Sequence, residues 1–458
     1  MILIDTARKI NKYIKKHKKT QAGKYLSLSR RIERVHPIKD KRYIAMTFDD
    51  GPSAVTPEPN TMDAEMGLTE VLLDILQKYN AKGTFDVIGT TEYNYPDKLG
   101  KLGTASWGGT RHDHYPDFHN DKLAGVKNQT ELARLIISRG HEVSNHGYRH
   151  VLFGPMRLVY GRRDHFKNLD EVVEDLNKLH NMVKTELNYD MKLSRPPHYI
   201  DNIPGGYNSY DAYTIMGYKY LAASLDGGGW KPSSGDYQQD LRAMVIPLEN
   251  ALKGGTNSLN GQIIFQKDGY NMSHQTPVAD ALDKQLELLI NNGYEIITVS
   301  ELLSQSPFED LNPEDDIFES VRLMDSMGLC IGYKNNTFQP DRELTMGELV
   351  MMITPPEYIR AHYIKSFLSK SLFDLGVEIS THSVIIPKTH PYKAGAEYAA
   401  SKGYIGDRLN PEEIVTAATF GNFLSKAAIG KNVNWSSKEQ GNIKRRDVCD
   451  AIAQLMST

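Results

Sequence analysis

The ten residues from Ile44 to Ser53 constrain the fold more than any other part of the sequence. They read Ile-Ala-Met-Thr-Phe-Asp-Asp-Gly-Pro-Ser, so an apolar strand is followed at once by two carboxylates and a Gly-Pro turn. Because side chains alternate along a strand, Asp49 and Asp50 leave its end in different directions. One carboxylate can therefore bind a metal while its neighbour stays free.

A His-x3-His pair supplies further candidate metal ligands. His146 and His150 occur in Ser-Asn-His-Gly-Tyr-Arg-His, and this spacing puts two imidazoles on one side of a turn or helix. With Asp50 they would form a three-ligand site with an open position, which is typical of a catalytic metal. The mixture of imidazole and carboxylate ligands favours Zn²⁺, with Co²⁺ or Ni²⁺ as alternatives.

A third motif, Arg-Pro-Pro-His-Tyr from Arg195, follows these two in the chain. Together with Thr-Phe-Asp-Asp-Gly-Pro from Thr47 and the His146-x3-His150 pair, it resembles the motifs of the NodB-type polysaccharide deacetylases, carbohydrate esterase family 4. The resemblance implies an α/β fold, a distorted (β/α) barrel of seven or so strands, with the active site at the carboxyl ends of the strands. It also implies a metal-dependent hydrolase that removes N- or O-linked acetyl groups from a cell-wall or plant-type polysaccharide.

Up to about residue 304, predicted strands alternate with predicted helices. Strands are predicted at residues 42–48, 83–89, 141–146, 191–195, 219–225, 261–266 and 294–298. Amphipathic helices are predicted between them, for example at 168–187 and 276–292. This alternation indicates a parallel sheet that closes fully or partly into a barrel.

The resemblance also implies a role for the residues of the motifs. Asp49 would be the general base, and Arg195 would pair with it and orient it. His198 occupies the position where the family uses a backbone amide to stabilise the oxyanion, and Tyr199 follows it. Both are therefore expected beside the substrate.

The last two motifs of the family are altered in this chain. Family members pair an Asp, just before a Trp, with a later His that protonates the leaving group. Here Gly229 precedes Trp230, and Lys267 stands where the His would be. Either Lys267 acts as the acid, or esters are preferred to amides as substrates. The structural alternative is that Lys267 points away from the site and pairs with a surface carboxylate such as Asp268. Loss of turnover would instead leave a metal-containing glycan-binding protein of the cell surface, or a wall protein in which the barrel is a spacer.

Residues 91–128 form a connection that is longer than usual and should be a functional or covering loop. The segment from Arg111 to His119 contains three histidines and two aspartates. These side chains could form a second metal site, but a polar, aromatic rim of a sugar cleft is the favoured interpretation. Trp107 in the same insert and Trp230 are predicted to contact the sugar.

A repeated spacing marks the last third of the chain. Pro340 and Thr345 are separated like Pro411 and Thr416, which predicts repeats of helix, loop and helix. The repeats resemble S-layer homology modules, which in that family anchor bacterial proteins to secondary cell-wall polymers. Where that family has Thr-Arg-Ala-Glu, only Arg445 keeps the arginine, so polymer binding would survive in one groove, or the repeats serve packing alone.

Three regions are therefore predicted: a basic extension at 1–40, a NodB-like deacetylase domain at 41–304 and a small all-α repeat domain at 305–458. The formal net charge of −3 gives no reason to expect nucleic-acid binding, and no apolar run approaches the length of a membrane span. The first residues show no export signal. The repeats nevertheless imply a bacterial cell-surface or extracellular protein.

Overall fold

The structure, a computed structural model of the 458-residue chain, divides into two compact units, Arg31–Pro307 and a second unit whose described residues lie in Phe308–Thr458. It describes residues 31–35, 37–38, 41–57, 66–90, 106–107, 110–111, 122–158, 161–162, 165–231, 233–255, 257–269, 276–305, 308–312, 314–326, 332–333, 335, 337–354, 359, 386, 390–427 and 441–457. Most of the predicted basic extension lies outside these residues. No helix within the described ranges is long and apolar enough to cross a membrane.

The first unit contains all of the described strands. They are β1 (Arg31–Ile32), β2 (Tyr43–Asp49), β3 (Thr84–Val87), β4 (Ser106–Trp107), β5 (Thr110–Arg111), β6 (Glu142–Asn145), β7 (Arg157–Leu158), β8 (Gly161–Arg162), β9 (Leu193–Ser194), β10 (Asn202–Ile203), β11 (Tyr207–Asn208), β12 (Lys219–Leu221), β13 (Leu225–Asp226), β14 (Ile263–Lys267) and β15 (Glu295–Ile297). Its helices are α1 (Leu68–Lys78), α2 (Thr130–Ser138), α3 (Leu169–Leu187), α4 (Ser209–Met216), α5 (Tyr237–Leu252), α6 (Val278–Asn291) and α7 (Val299–Ser304).

Nine of these strands form one parallel sheet in the order β1-β12-β9-β6-β3-β2-β14-β13, with β15 also paired to β2. The sheet curls into a half-barrel with helices, so the predicted parallel α/β architecture is confirmed for this unit. Strand β1 was not predicted, and the single strand predicted at 219–225 is divided in the structure into β12 and the start of β13. The carboxyl ends of β14, β2, β3 and β6 lie side by side at one edge.

Strand β2 shows how the sequence directs side chains to the two faces of the sheet. Ile44, Met46 and Phe48 are fully buried in the larger apolar cluster, which includes residues of α1. Ala45 belongs to a different apolar cluster, so the alternate residues face the opposite side. Asp49 follows Ala45 by four residues, so the two side chains lie on the same face of the strand. A largely apolar strand that is buried on both faces thus ends in a carboxylate on the same face as Ala45.

The described residues of the second unit include five helices and a closed ring of backbone hydrogen bonds. Its helices are α8 (Phe318–Ser326), α9 (Met346–Met352), α10 (Lys393–Ser401), α11 (Ala417–Ala427) and α12 (Arg445–Ser457). The Leu344 amide donates to Ile443 at 2.8 Å, the Ile443 amide to Val415 at 2.7 Å, and the Val415 amide to Leu344 at 2.9 Å. Each segment of the ring leads into a helix, namely α9, α11 or α12. The assignment of this unit to S-layer homology modules remains a prediction from sequence.

Candidate metal centre and active site

The two adjacent carboxylates stand at the carboxyl end of β2, where the backbone turns sharply. Asp50 adopts a left-handed conformation with φ 78°, which separates its side chain from that of Asp49. Gly51 follows, and a Cβ atom at this position would lie 1.9 Å from Asp268 Oδ2. The turn therefore requires glycine at this point.

The histidine pair lies in the loop that follows β6. His146 comes directly after the strand, and His150 has a left-handed backbone with φ 52°. Asp175 from α3 accepts hydrogen bonds from the Tyr148 amide at 2.8 Å and from Arg149 Nε at 2.7 Å. This buried carboxylate thus ties the loop between the two histidines to α3.

Asp50, His146 and His150 bring one ligand atom each into a buried cluster. Asp50 Oδ1 lies 3.2 Å from His146 Nε2 and 3.1 Å from His150 Nε2. His146 Nδ1 is 2.8 Å from the Arg195 carbonyl oxygen, to which it donates, so Nε2 is the ring nitrogen that faces the cluster. Asp50 Oδ1 accepts no hydrogen bond from any described residue. A buried carboxylate oxygen without a donor, facing two imidazoles, fits a divalent metal ion.

Asp49 lies beside this cluster and is held by Arg195. The Arg195 guanidinium is fully buried, pairs with Asp49 Oδ1 through Nη1 and donates from Nη2 to Thr47 Oγ1 at 2.9 Å. Asp49 Oδ2 lies 3.6 Å from His146 Nε2. Burial by itself would raise the pKa of Asp49, but Arg195, His146 and Lys267 together lower it below its ordinary value. The carboxylate is therefore ionised and faces the ligand cluster.

Asp86, which the sequence analysis did not single out, also belongs to this site. It lies on β3 in register with Asp49, is fully buried and approaches Arg195 Nη1 to 2.9 Å through Oδ2. Burial and the charge of Asp49 raise the pKa of Asp86 to about 7, although Arg195 opposes the shift. An acidic residue inside an otherwise apolar strand was the signal in the sequence.

Lys267 points into the site, so the alternative in which it turns away to pair with Asp268 is wrong. It ends β14 in register with Asp49, is buried, and its Nζ pairs with Asp50 Oδ2. Burial lowers the pKa of Lys267 to about 8, against the opposing effects of Asp49 and Asp268. Asp268 itself accepts a hydrogen bond from Thr69 Oγ1 at 2.7 Å.

The loop after β13 lies next to this lysine. A Cβ atom at Gly229 would lie 3.0 Å from Lys267 Cγ, so the glycine makes room for the lysine stem. Trp230 is partly exposed, and its Nε1 donates to Asp226 Oδ2 at 2.8 Å. The two altered motif positions, 229 and 267, are thus neighbours in the structure.

Of the two residues predicted to lie beside the substrate, His198 lies next to a proposed metal ligand and Tyr199 lies next to two arginines. The His198 ring centroid lies 5.3 Å from that of His150, and the Tyr199 ring lies 5.0 Å from the Arg31 guanidinium and 5.4 Å from that of Arg195. The Tyr199 amide donates to the carbonyl of residue 196 at 2.9 Å, so this N–H group is hydrogen-bonded within the turn.

Most of the long insert lies outside the described residues. The side chain of Trp107 and residues 112–119 lie outside the described residues, so the second metal site and the sugar rim both remain predictions.

Comparison with known proteins relates this site to one family. Residues 36–202 match the family model described as polysaccharide deacetylase, and the match includes the first three motifs but ends before positions 229 and 267. The peptidoglycan-N-acetylglucosamine deacetylase PgdA of Listeria monocytogenes is 24% identical over 303 residues, covering 66% of this chain and 45% of the relative. The peptidoglycan-N-acetylmuramic acid deacetylase PdaC of Bacillus subtilis is 25% identical, covering 65% and 45%.

The chain thus spans about half the length of these curated relatives. The solved structure of peptidoglycan deacetylase PdaC from Bacillus subtilis aligns with a TM-score of 0.37 at 23% identity, covering 57% of this chain and 90% of that chain. Over residues 36–202 the chain matches the polysaccharide deacetylase family in sequence, which supports its resemblance to the NodB-type members.

Proposed function

We propose that the first unit is a metal-dependent hydrolase that removes acetyl groups from a cell-wall polysaccharide. The observation that carries the proposal is an ionised carboxylate, Asp49, held beside a buried cluster of Asp50, His146 and His150 without belonging to it. A site that only binds a glycan has little use for such a carboxylate. The named activities of the sequence relatives support the same reaction class. We assign the domain to residues 41–304.

Asp50, His146 and His150 would hold the metal, for which Zn²⁺ is proposed from the ligand set and Co²⁺ or Ni²⁺ as alternatives. When bound, a divalent metal at these residues would supply Lewis-acid chemistry that polarises the acetyl carbonyl and makes water more acidic. Asp49 would accept a proton from the attacking water. Arg195 keeps this base ionised and correctly turned, because its guanidinium is fixed by Thr47 as well.

Lys267 is proposed to return a proton to the leaving group. Expelling an amine demands protonation of its nitrogen, whereas a sugar alkoxide can leave with less help, so N-acetyl substrates depend more strongly on this step. The lysine stands beside the ligand cluster, and its lowered pKa makes the ammonium a usable acid near neutral pH. A lysine needs no orienting Asp, which agrees with Gly229.

The substrate is proposed to be an acetylated glycan of the cell wall, such as peptidoglycan, with acetylated xylan as the ester counterpart. His198 and Tyr199 would line its reacting end, and Trp230 and Trp107 would contact neighbouring sugars. We further propose that the second unit binds an anionic wall polymer at the bacterial cell surface. Arg445 is buried, donates from Nε to the Phe338 carbonyl at 2.8 Å and lies over the Tyr333 ring, so it would shape the binding groove rather than contact the polymer directly. Arg445→Ala in the full chain should then reduce binding to purified cell walls, whereas unchanged binding would remove Arg445 from this role.

Acetate release tests the proposed reaction. Metal-loaded protein is incubated with peptidoglycan, chitin oligomers and acetylated xylan, and the Asp49→Asn variant serves as the matched control because it keeps the side-chain shape. We expect acetate from at least one glycan with the wild type and at least about 10²-fold less with the variant. Glycan binding without acetate from any substrate would favour the alternative, a metal-containing binding protein.

A further inference from the structure

A row of buried polar residues crosses four neighbouring strands near their carboxyl ends. Lys267 on β14 is in register with Asp49 on β2, Asp49 with Asp86 on β3, and Asp86 with Ser144 on β6. Residues paired in register on parallel strands point to the same face, about 4.8 Å apart from strand to strand. The row therefore places a second carboxylate, that of Asp86, directly beside the proposed base.

Each carboxylate oxygen of Asp86 lies next to a different polar group. Its Oδ1 accepts a hydrogen bond from Ser144 Oγ, and its Oδ2 lies 2.9 Å from Arg195 Nη1. The same guanidinium nitrogen pairs with Asp49 Oδ1. A single nitrogen thus stands between two carboxylates, and a shift of either one would move the arginine.

Arg195 in turn connects the base with the ligand cluster. Its side chain holds Asp49, and its carbonyl oxygen is the 2.8 Å acceptor of His146 Nδ1. A buried guanidinium needs compensating charge and fixed partners if it is to keep one orientation. Asp86 and Thr47 are the partners that are not themselves assigned to the reaction.

We propose that Asp86 is a positioning residue of the reaction, because it fixes the Arg195 guanidinium and thereby the orientation of Asp49. This inference rests on the proposed deacetylase function. Asp86 does not touch the substrate in this account; it acts only through Arg195. This role differs from support of the fold, because loss of the Asp86 carboxylate should lower kcat, which reports on the chemical step.

The test compares Asp86→Asn with Glu142→Gln. Glu142 is another buried carboxylate, located at the start of β6, and its Oε2 accepts hydrogen bonds from Thr84 Oγ1 at 2.8 Å and from the Ser300 amide at 3.1 Å. For each full-length variant, bound metal, kcat and KM for acetate release are measured, with kcat expressed per bound metal ion. We expect Asp86→Asn to lower kcat by about tenfold to a hundredfold with KM and metal content unchanged, and Glu142→Gln to leave kcat unchanged.

The outcomes separate the inference from the proposed function. Wild-type kcat in Asp86→Asn, or equal kcat losses in both variants, would overturn the positioning role while the deacetylase function stands. Absence of acetate release by the wild type would overturn both. If Asp86→Asn does not fold, Ser144→Ala decides, because it removes a hydrogen bond to Asp86 but keeps the charges; a reduced kcat at unchanged KM is expected, and a wild-type kcat would contradict the inference.

Discussion

Replacing Arg195 with methionine should disable the base and destabilise the first unit together. The guanidinium is fully buried, pairs with Asp49 and approaches Asp86 to 2.9 Å. Methionine fills much of the same volume but leaves two adjacent carboxylates in a buried pocket without their cation. Because neighbouring buried carboxylates cannot both stay ionised, at least one must take up a proton near neutral pH.

The size of the effect follows from these contacts. Removing one partner of a buried ion pair costs about 3–5 kcal/mol of the free energy of unfolding, which lowers Tm by roughly 10 °C in a domain of this size. The Arg195 charge lowers the pKa of Asp49, so its loss raises that pKa and also removes the group that orients the base. We expect kcat at neutral pH to fall by at least about 10²-fold, with partial recovery as rising pH deprotonates Asp49.

Thermal unfolding and the pH dependence of acetate release measure both effects. Arg195→Lys is the matched variant, because it keeps a positive charge but lacks the second nitrogen that donates to Thr47. Its kcat should lie between those of the wild type and Arg195→Met. A wild-type kcat in Arg195→Met at neutral pH would refute the assignment of Arg195 as the partner of the base.

Three further changes test other parts of the account. Asp175→Asn should weaken metal affinity by about 10–100-fold, because Asp175 holds the loop between the histidines; unchanged affinity in calorimetry would contradict this. Lys267→Met should lower kcat by about 10²-fold, with a larger loss on amides than on esters. If the wild type and Lys267→Met have equal rates on both substrate types, Lys267 has no part in the mechanism. Burial raises the pKa of Glu142, so the folded state binds its proton more tightly. The free energy of unfolding should therefore fall as pH rises above the ordinary glutamate pKa, and urea unfolding of Glu142→Gln should lose this dependence; an unchanged pH dependence would refute it.

Residue types and spacing were sufficient to predict the ligand cluster. Asp50 and the His146-x3-His150 pair each follow an apolar strand, and parallel strands bring their carboxyl ends to one edge of the sheet. The structure places the three ligand atoms within 4.8 Å of one another.

Contacts that depend on register or backbone angle could not be predicted in this way. Asp86 meets Arg195 only because β3 pairs with β2 in one register, and a shift of one residue would turn Asp86 to the opposite face. Lys267 pairs with Asp50, which adopts a left-handed φ of 78°. Neither property leaves a periodic signal in the sequence.

The most direct test of the central claim is stepwise metal reconstitution. Chelator-treated protein is titrated with Zn²⁺ while metal content and acetate release are measured together, and the His146→Ala, His150→Ala double variant is treated in parallel. We expect acetate release to rise with metal and to saturate at about one ion per chain, and we expect the double variant neither to retain the ion nor to release acetate. Equal metal retention and equal acetate release by the wild type and the double variant would contradict the central claim.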